Sequence, residues 1–232
     1  MCGILCLIEH IDLTLMKSIQ HRGQESYGIS YFQNDNIKLH QHKGLIDSDT
    51  LSSIQHSIDI QRHNISYILG HTRYSTSGTK TNDLTQSQPI NGIATINGIE
   101  ESFILIHNGN IHNRESLKTH FNCDIDLSFS DTQIIVSIIE SFRFNSWKDI
   151  LNTLLNTIPV AYSIIIGTPD KVYVMRDSYG IRPLTIGRHE LNNTSFAICS
   201  ENNSLKEAGF TLQRDVFPGE ILSITIGSED II

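Results

Sequence analysis

The sequence predicts an α+β fold in which antiparallel sheets stack face to face with helices outside. The first observation behind this is block order. Strand-length apolar runs open the 232-residue chain, helical patterns cluster in its middle, and strand-length runs close it, whereas βαβ units would interleave the two. The second is continuity: no repeat, low-complexity tract or Pro/Gly/Ser linker interrupts the chain, so one domain over residues 1–232 is expected. The third is the 39% hydrophobic content, ordinary for a soluble protein. The longest apolar runs, such as 134–136 and 164–166, are too short to span a bilayer, so no membrane partner is expected.

Taken in order, residues 2–8 form an apolar strand. Leu13, Leu15, Met16 and Ile19 recur at roughly helical spacing over 12–21, and Gly23 reads as a natural stop. Residues 28–32, 36–40 and 66–71 read as strands, the last ending in a polar, Gly-bearing loop over 72–87. Residues 103–107 form a buried-strand pattern running straight into Asn108-Gly109. Asn113 suits the cap of a short helix to about 121. Ser130-Asp131-Thr132-Gln133 has the capping-box form before a helix over 134–142. Ser146 opens a further helix carrying Ile150, Leu151, Leu154 and Leu155. Strands are then expected over 161–167, 172–176, 184–187, 195–200 and 220–226.

Net charge is −8 and the pI is near 5.7, with no stripe of Lys or Arg, so nucleic acid is not an expected partner. Cys2, Cys6, Cys123 and Cys199 are scattered, with no C-x-x-C and no Cys–His cluster at zinc-like spacing. The N-terminus has no basic segment followed by a long apolar one. Together these predict free thiols in a reducing cytoplasm. Of the eleven histidines, most lie in polar stretches, so no metal site and no cofactor are expected.

Cys2 is the residue with the most chemistry, because removal of Met1 exposes a thiol and an α-amine on one residue. The amine titrates near ~7.7–8.0 and a free thiol near ~8.5, so the amine can accept the thiol proton at neutral pH. Taken alone, Cys2 reads more readily as a small buried residue opening a strand. Other segments carry similar pairs of readings. In His21-Arg22-Gly23-Gln24 the Gly-centred turn reads as a helix C-cap, or Arg22 and the loop line a pocket. In Gly70-His71-Thr72-Arg73-Tyr74-Ser75-Thr76-Ser77-Gly78, a planar guanidinium at a strand end suits a carboxylate clamp; the plain alternative is a solvated loop. Asn108-Gly109 is a strong hairpin signal, unless the Asn amide and Gly N–H converge as two oxyanion donors. Asp131 at a helix start reads as part of a cap, or as the partner of a substrate ammonium. The turn from Arg176 to Leu184 reads as structural.

The joint order of these segments is more informative than any one. Cys2-Gly3-Ile4, the HRGQ segment, GHTRYSTSG, HNGNI, SDT, RDSYGIRPL, Cys199-Ser200-Glu201 and Arg214-Asp215-Val216-Phe217-Pro218-Gly219-Glu220 together resemble the class II glutamine amidotransferases, members of the N-terminal-nucleophile hydrolases. The likeness is strongest to the glutaminase half of glutamine phosphoribosylpyrophosphate amidotransferase. It implies a four-layer αββα sandwich that takes L-glutamine and releases glutamate and ammonia. It also implies that Cys2, freed of Met1, attacks the side-chain amide while Asn108 and Gly109 hold the oxyanion. Arg73, helped by Thr76, would take the α-carboxylate and Asp131 the α-ammonium.

Two departures from the family pattern stand out. Gln133 occupies a position usually Glu, preserving capping chemistry, and Ser178-Tyr179 replaces Pro-Asn, which is expected to loosen a turn. No stretch pairs acidic residues with a Gly/Thr-rich phosphate loop, so no phosphoribosyltransferase half is expected: either a separate synthetase subunit accepts the ammonia, or the chain is a free-standing glutaminase, or its physiological task has drifted. The alternatives are a glutamine-binding regulatory subunit without catalysis, or the glutaminase module of another amidotransferase.

Overall fold

Strands buried along their whole length need cover on both faces, and β1 (Gly3–Ile8) has all six residues buried. A computed structural model supplies that cover; it describes the chain except residues 75–83, 112–113, 123–125 and 127. After β1 come α1 (Leu15–Ser18), β2 (Ser26–Gln33), β3 (Asn36–Lys43), α2 (Ser48–Ile60) and β4 (Tyr67–Arg73). The middle of the chain holds β5 (Ile90–Ile96), β6 (Ile99–Gly109), α3 (Arg114–Phe121), α4 (Asp131–Ser141), β7 (Arg143–Phe144) and α5 (Trp147–Thr157). It closes with β8 (Tyr162–Gly167), β9 (Lys171–Arg176), β10 (Thr185–His189), β11 (Asn192–Cys199), α6 (Asn203–Glu207), β12 (Phe210–Asp215) and β13 (Ile221–Thr225).

The strands form a seven-stranded sheet, β12-β10-β11-β1-β4-β2-β3, and a six-stranded sheet, β13-β9-β8-β6-β5-β7. All pairs are antiparallel except β5 with the two-residue β7. Period-2 alternation then sorts each strand between two cores. Ile4, Cys6 and Ile8 of β1 meet Ile104 and Ile106 of β6 between the sheets. Leu5 and Leu7 face the opposite way, against Leu15 and Met16 of α1 and Leu51, Ile54 and Ile58 of α2. Phe103 and Leu105 of β6 turn outward to Ile134, Ile135 and Ile138 of α4 and to Trp147, Ile150 and Leu154 of α5. Three cores between four layers make the expected αββα sandwich. Among the described residues no helix is long and apolar enough to cross a membrane.

The helix N-termini form as their sequences specify. Ser130 Oγ accepts from the Gln133 amide at 3.3 Å while Gln133 Oε1 accepts from the Ser130 amide at 2.8 Å, so glutamine completes the capping box. Ser146 likewise caps α5 through the Asp149 amide at 3.2 Å.

Three expectations are corrected. The helix expected over 12–21 shrinks to α1 and a 3₁₀ turn over Gln20–Arg22. Its first turn is tightened instead: the Leu15, Met16 and Lys17 amides donate to the carbonyls three residues back, of Asp12, Leu13 and Thr14, at 3.3, 3.0 and 3.0 Å. Gly23 is extended, φ −154°, so it is no left-handed cap; a Cβ there would lie 2.5 Å from the Thr72 carbonyl. Asn108-Gly109 makes no hairpin turn, because β6 runs through both, opposite Ser163 and Tyr162 of β8. The helix α2, absent from the expectations, has its signal in an Asp47 cap accepting from the Thr50 amide at 2.8 Å and in Leu51, Ile54 and Ile58.

Candidate active site

The central strands of the two sheets bring distant sequence segments to one end of the sandwich. Cys2 precedes β1, whose Gly3 pairs with Thr72 of β4, so Arg73 at the end of β4 lies beside the N-terminus. Close approach sets this corner: a Cβ on Gly3 would stand 2.5 Å from Thr72 Oγ1 and 2.9 Å from the Ile19 carbonyl oxygen. Asn108 and Gly109 end β6 in the facing sheet, and Asp131 is the first residue of α4. One cavity of about 180 Å³ is lined by Cys2, Arg73, His107, Gly109, Arg114 and Asp131, among others. Of the expected site residues, Cys2, Arg73, Gly109 and Asp131 meet there, and Asn108 adjoins Gly109. Thr76 lies outside the described residues.

Cys2 is half-buried and its sulfur lies 3.7 Å from the Tyr74 carbonyl oxygen. Burial pushes its thiol up, and the chain amine, Arg73 and Arg182 pull it back. Burial lowers the amine of Met1. Cys6 and Cys199 are wholly buried, and Cys199 is pushed up to about 11 by burial, so Cys2 carries the accessible thiol among the described cysteines.

Arg73 donates to Gln86 Oε1 at 2.7 Å and lies 3.8 Å from Glu25. On the opposite wall, Asp131 Oδ2 accepts from the Ile111 amide at 3.0 Å and Oδ1 from Arg114 Nη2 at 2.6 Å. The carboxylate expected to meet an ammonium is thus held by a guanidinium and a backbone amide.

Asn108 is 1% exposed, and its side-chain nitrogen has no hydrogen-bond partner among the described residues. Leaving such a donor buried costs about 1–3 kcal/mol, which makes it stand out in the polar wall. A Cβ on Gly109 would lie 2.5 Å from His107 Nε2 and 2.9 Å from the Ala161 carbonyl oxygen, so only glycine fits. Behind this strand end two histidines are buried. His71 is pushed down to about 3 by burial, with His107 beside it, and burial lowers His107 as well. His107 Nδ1 lies 3.3 Å from Thr132 Oγ1.

Three residues outside the expected catalytic and substrate-binding set organise the site. Gln88 clamps the main chain of His107, accepting from its amide at 2.6 Å and donating to its carbonyl at 3.1 Å. These residues are nineteen apart, so local pattern could not reveal the bond. Arg22 pairs with Glu201, which ties the HRGQ turn to the end of β11. Arg182 acts electrostatically on the N-terminal amine, Cys2 and His107. It is presented by a turn that Arg176 organises, donating to the carbonyls of Arg182, Val216 and Gly180 at 2.8, 2.6 and 2.6 Å. Asp177 accepts from the Tyr162, Tyr179 and Gly180 amides at 3.1, 2.8 and 3.1 Å, so Ser178-Tyr179 leaves a well-tied turn. Among the described residues no three His, Cys, Asp or Glu side chains converge as a metal-binding group.

Comparison with known proteins gives the family and the fold. Residues 81–207 match the family model of the glutamine amidotransferase domain. Amidophosphoribosyltransferase of Synechococcus elongatus is 33% identical over 239 residues, covering 97% of this chain and 45% of that protein. The Bacillus subtilis amidophosphoribosyltransferase is 30% identical over 230 residues, covering 96% of this chain and 46% of its own length. The chain therefore spans about half the length of these relatives. Among solved structures, glutamine phosphoribosylpyrophosphate amidotransferase from Bacillus subtilis, complexed with ADP and GMP, superposes with a TM-score of 0.77 at 27% identity. That superposition covers 100% of this chain and 48% of the other. The fold is the αββα sandwich of the N-terminal-nucleophile type, and the chain belongs to the glutamine amidotransferase domain family.

Proposed function

We propose that this chain, as one domain freed of Met1, hydrolyses the side-chain amide of L-glutamine through a thioester on Cys2. The observation that carries the reading is one cavity lined by a thiol, a guanidinium, a strand-end glycine and a carboxylate. The Cys2 sulfur attacks the amide carbon as its proton passes to the Cys2 α-amine. The carbonyl oxygen becomes an oxyanion held by the Asn108 side-chain amide and the Gly109 N–H. Each such donor is worth about 3 kcal/mol in the barrier. The amine returns the proton to the leaving nitrogen, ammonia departs, and a thioester remains. Water then adds to the thioester, releasing glutamate and restoring the thiol. Arg73 with Thr76 holds the α-carboxylate and Asp131 the α-ammonium.

The wider setting we propose is a reducing cytoplasm, with the ammonia passed to a separate synthetase subunit. Purine biosynthesis, in which amidophosphoribosyltransferases act, is the setting the likeness favours.

The test is glutamate release from glutamine by the purified chain, with intact mass recorded on the same sample. The expected result is activity only where Met1 is absent, and none in Cys2→Ala. Turnover by Cys2→Ala would sink the mechanism. Glutamine binding without turnover in a chain lacking Met1 would favour a regulatory subunit.

A further inference from the structure

Arg114 belongs to no motif that carries the family likeness, yet it lines the cavity. As the first residue of α3 it reaches across to the start of α4, with Nη2 2.6 Å from Asp131 Oδ1 and Nη1 2.8 Å from the Phe129 carbonyl oxygen. The Ile111 amide takes the other carboxylate oxygen at 3.0 Å, so both oxygens of Asp131 are engaged. The pair lies at the cavity edge, with the Arg114 side chain 32% exposed and that of Asp131 15% exposed.

The charges in this wall have a consequence for ligand choice. An α-ammonium arriving at Asp131 meets a carboxylate already neutralised, with a second cation beside it. Like charges a few ångströms apart oppose each other, so the ammonium and the guanidinium compete for one oxygen. Arg114 is also poorly placed on its own helix, since the N-terminal end of a helix dipole disfavours a cation. Asp131, an anion at the start of α4, is well placed, so Arg114 is the partner more readily displaced.

We propose that Arg114 is a specificity-determining residue of this pocket, an internal counter-ion that the substrate's α-ammonium must displace from Asp131. This rests on the glutaminase reading above. In this role Arg114 weakens the binding of glutamine and narrows its advantage over an amide that has the α-carboxylate side but no ammonium.

The test uses the full chain freed of Met1, with two amides as probes: L-glutamine and glutaric acid monoamide, which lacks the α-amine. In Arg114→Ala, KM for glutamine falls by about fivefold, the ratio set by a partly exposed ion pair, and the change falls on KM rather than kcat. KM for the monoamide does not fall, and Arg114→Lys restores the wild-type ratio of the two. Arg114→Gln, which keeps a donor and removes the charge, gives the same direction should the alanine variant fold poorly. A rise in KM for glutamine, no change, or an equal change for both amides would overturn the proposal, because Arg114 would then only brace Asp131. Calorimetric titration of glutamine into Cys2→Ala, with and without Arg114→Ala, separates this from the broader reading. Binding that Arg114→Ala leaves unchanged removes the counter-ion alone. Absence of binding in both removes the glutaminase reading as well.

Discussion

The two walls of the cavity are built on different principles. The strand wall, from β1, β4 and β6, is held by close backbone contacts that only glycine allows at Gly3 and Gly109. It keeps buried polar atoms without partners among the described residues, including Asn108 Nδ2 and His107 Nε2. The helix wall, from the starts of α3 and α4, pairs both oxygens of its acid with Arg114 and a backbone amide. A wall of unpartnered polar atoms, with the Asn108 amide as a donor, behind tight packing is preorganised for charge that arrives in a reaction. A wall of satisfied side chains at helix ends must exchange partners to bind. Rigidity and adjustability are thus separated within one pocket.

Breaking the strand wall has the largest effect. Asn108→Leu keeps the side chain's size and removes its donor, so kcat for glutamine falls by about 10²–10³-fold while stability is retained. Kinetics and denaturant unfolding on the same sample check this. Joint loss of activity and stability would mean that the amide braces the fold rather than awaiting charge.

The buried histidines behind that wall give the next effect, in pH. Unfolded histidine protonates near ~6.5, whereas His71 in the fold does so near about 3. Between these values the unfolded chain binds more protons, so stability falls as pH drops and is fully present above pH ~6.5. The slope is up to about 1.4 kcal/mol per pH unit for each such group. Unfolding measured at pH 7 and pH 5 should show this loss, and His71→Gln should flatten it.

The helix wall yields the smallest change. Ser130→Ala removes half of the capping box and lowers stability by about 1 kcal/mol. Its activity change is confined to a modest rise in KM through a loosened Asp131. A drop in kcat instead would show that the helix wall is as preorganised as the strand wall.

Legibility follows the range of the interaction. The capping box at Ser130 and Gln133 and the cap at Ser146 read directly, because each bond spans three residues. The runs that become β1 and β8, and the apolar stretch over residues 103–106 of β6, read as strands because burial on both faces leaves almost no polar positions in them. α1 is shorter than its spacing suggests because the amides on either side of it, from Leu15 to Lys17 and at Arg22 and Gly23, bond to carbonyls three residues back in tighter turns. Gly23 reads as a cap and serves instead as a close contact with Thr72. Asn108-Gly109 reads as a hairpin turn by local preference and is strand because β8 pairs with it.

By itself the sequence determined the class of fold, the thiol at position 2 and the order of motifs that places the chain in its family. These follow from composition, period and local chemistry, which a linear chain carries openly. Only the tertiary structure decided that Gln88 clamps His107, that Arg182 acts on Cys2, and that Arg114 holds the acid of the pocket. These couplings join separate elements, and packing rather than sequence neighbourhood sets which side chains meet.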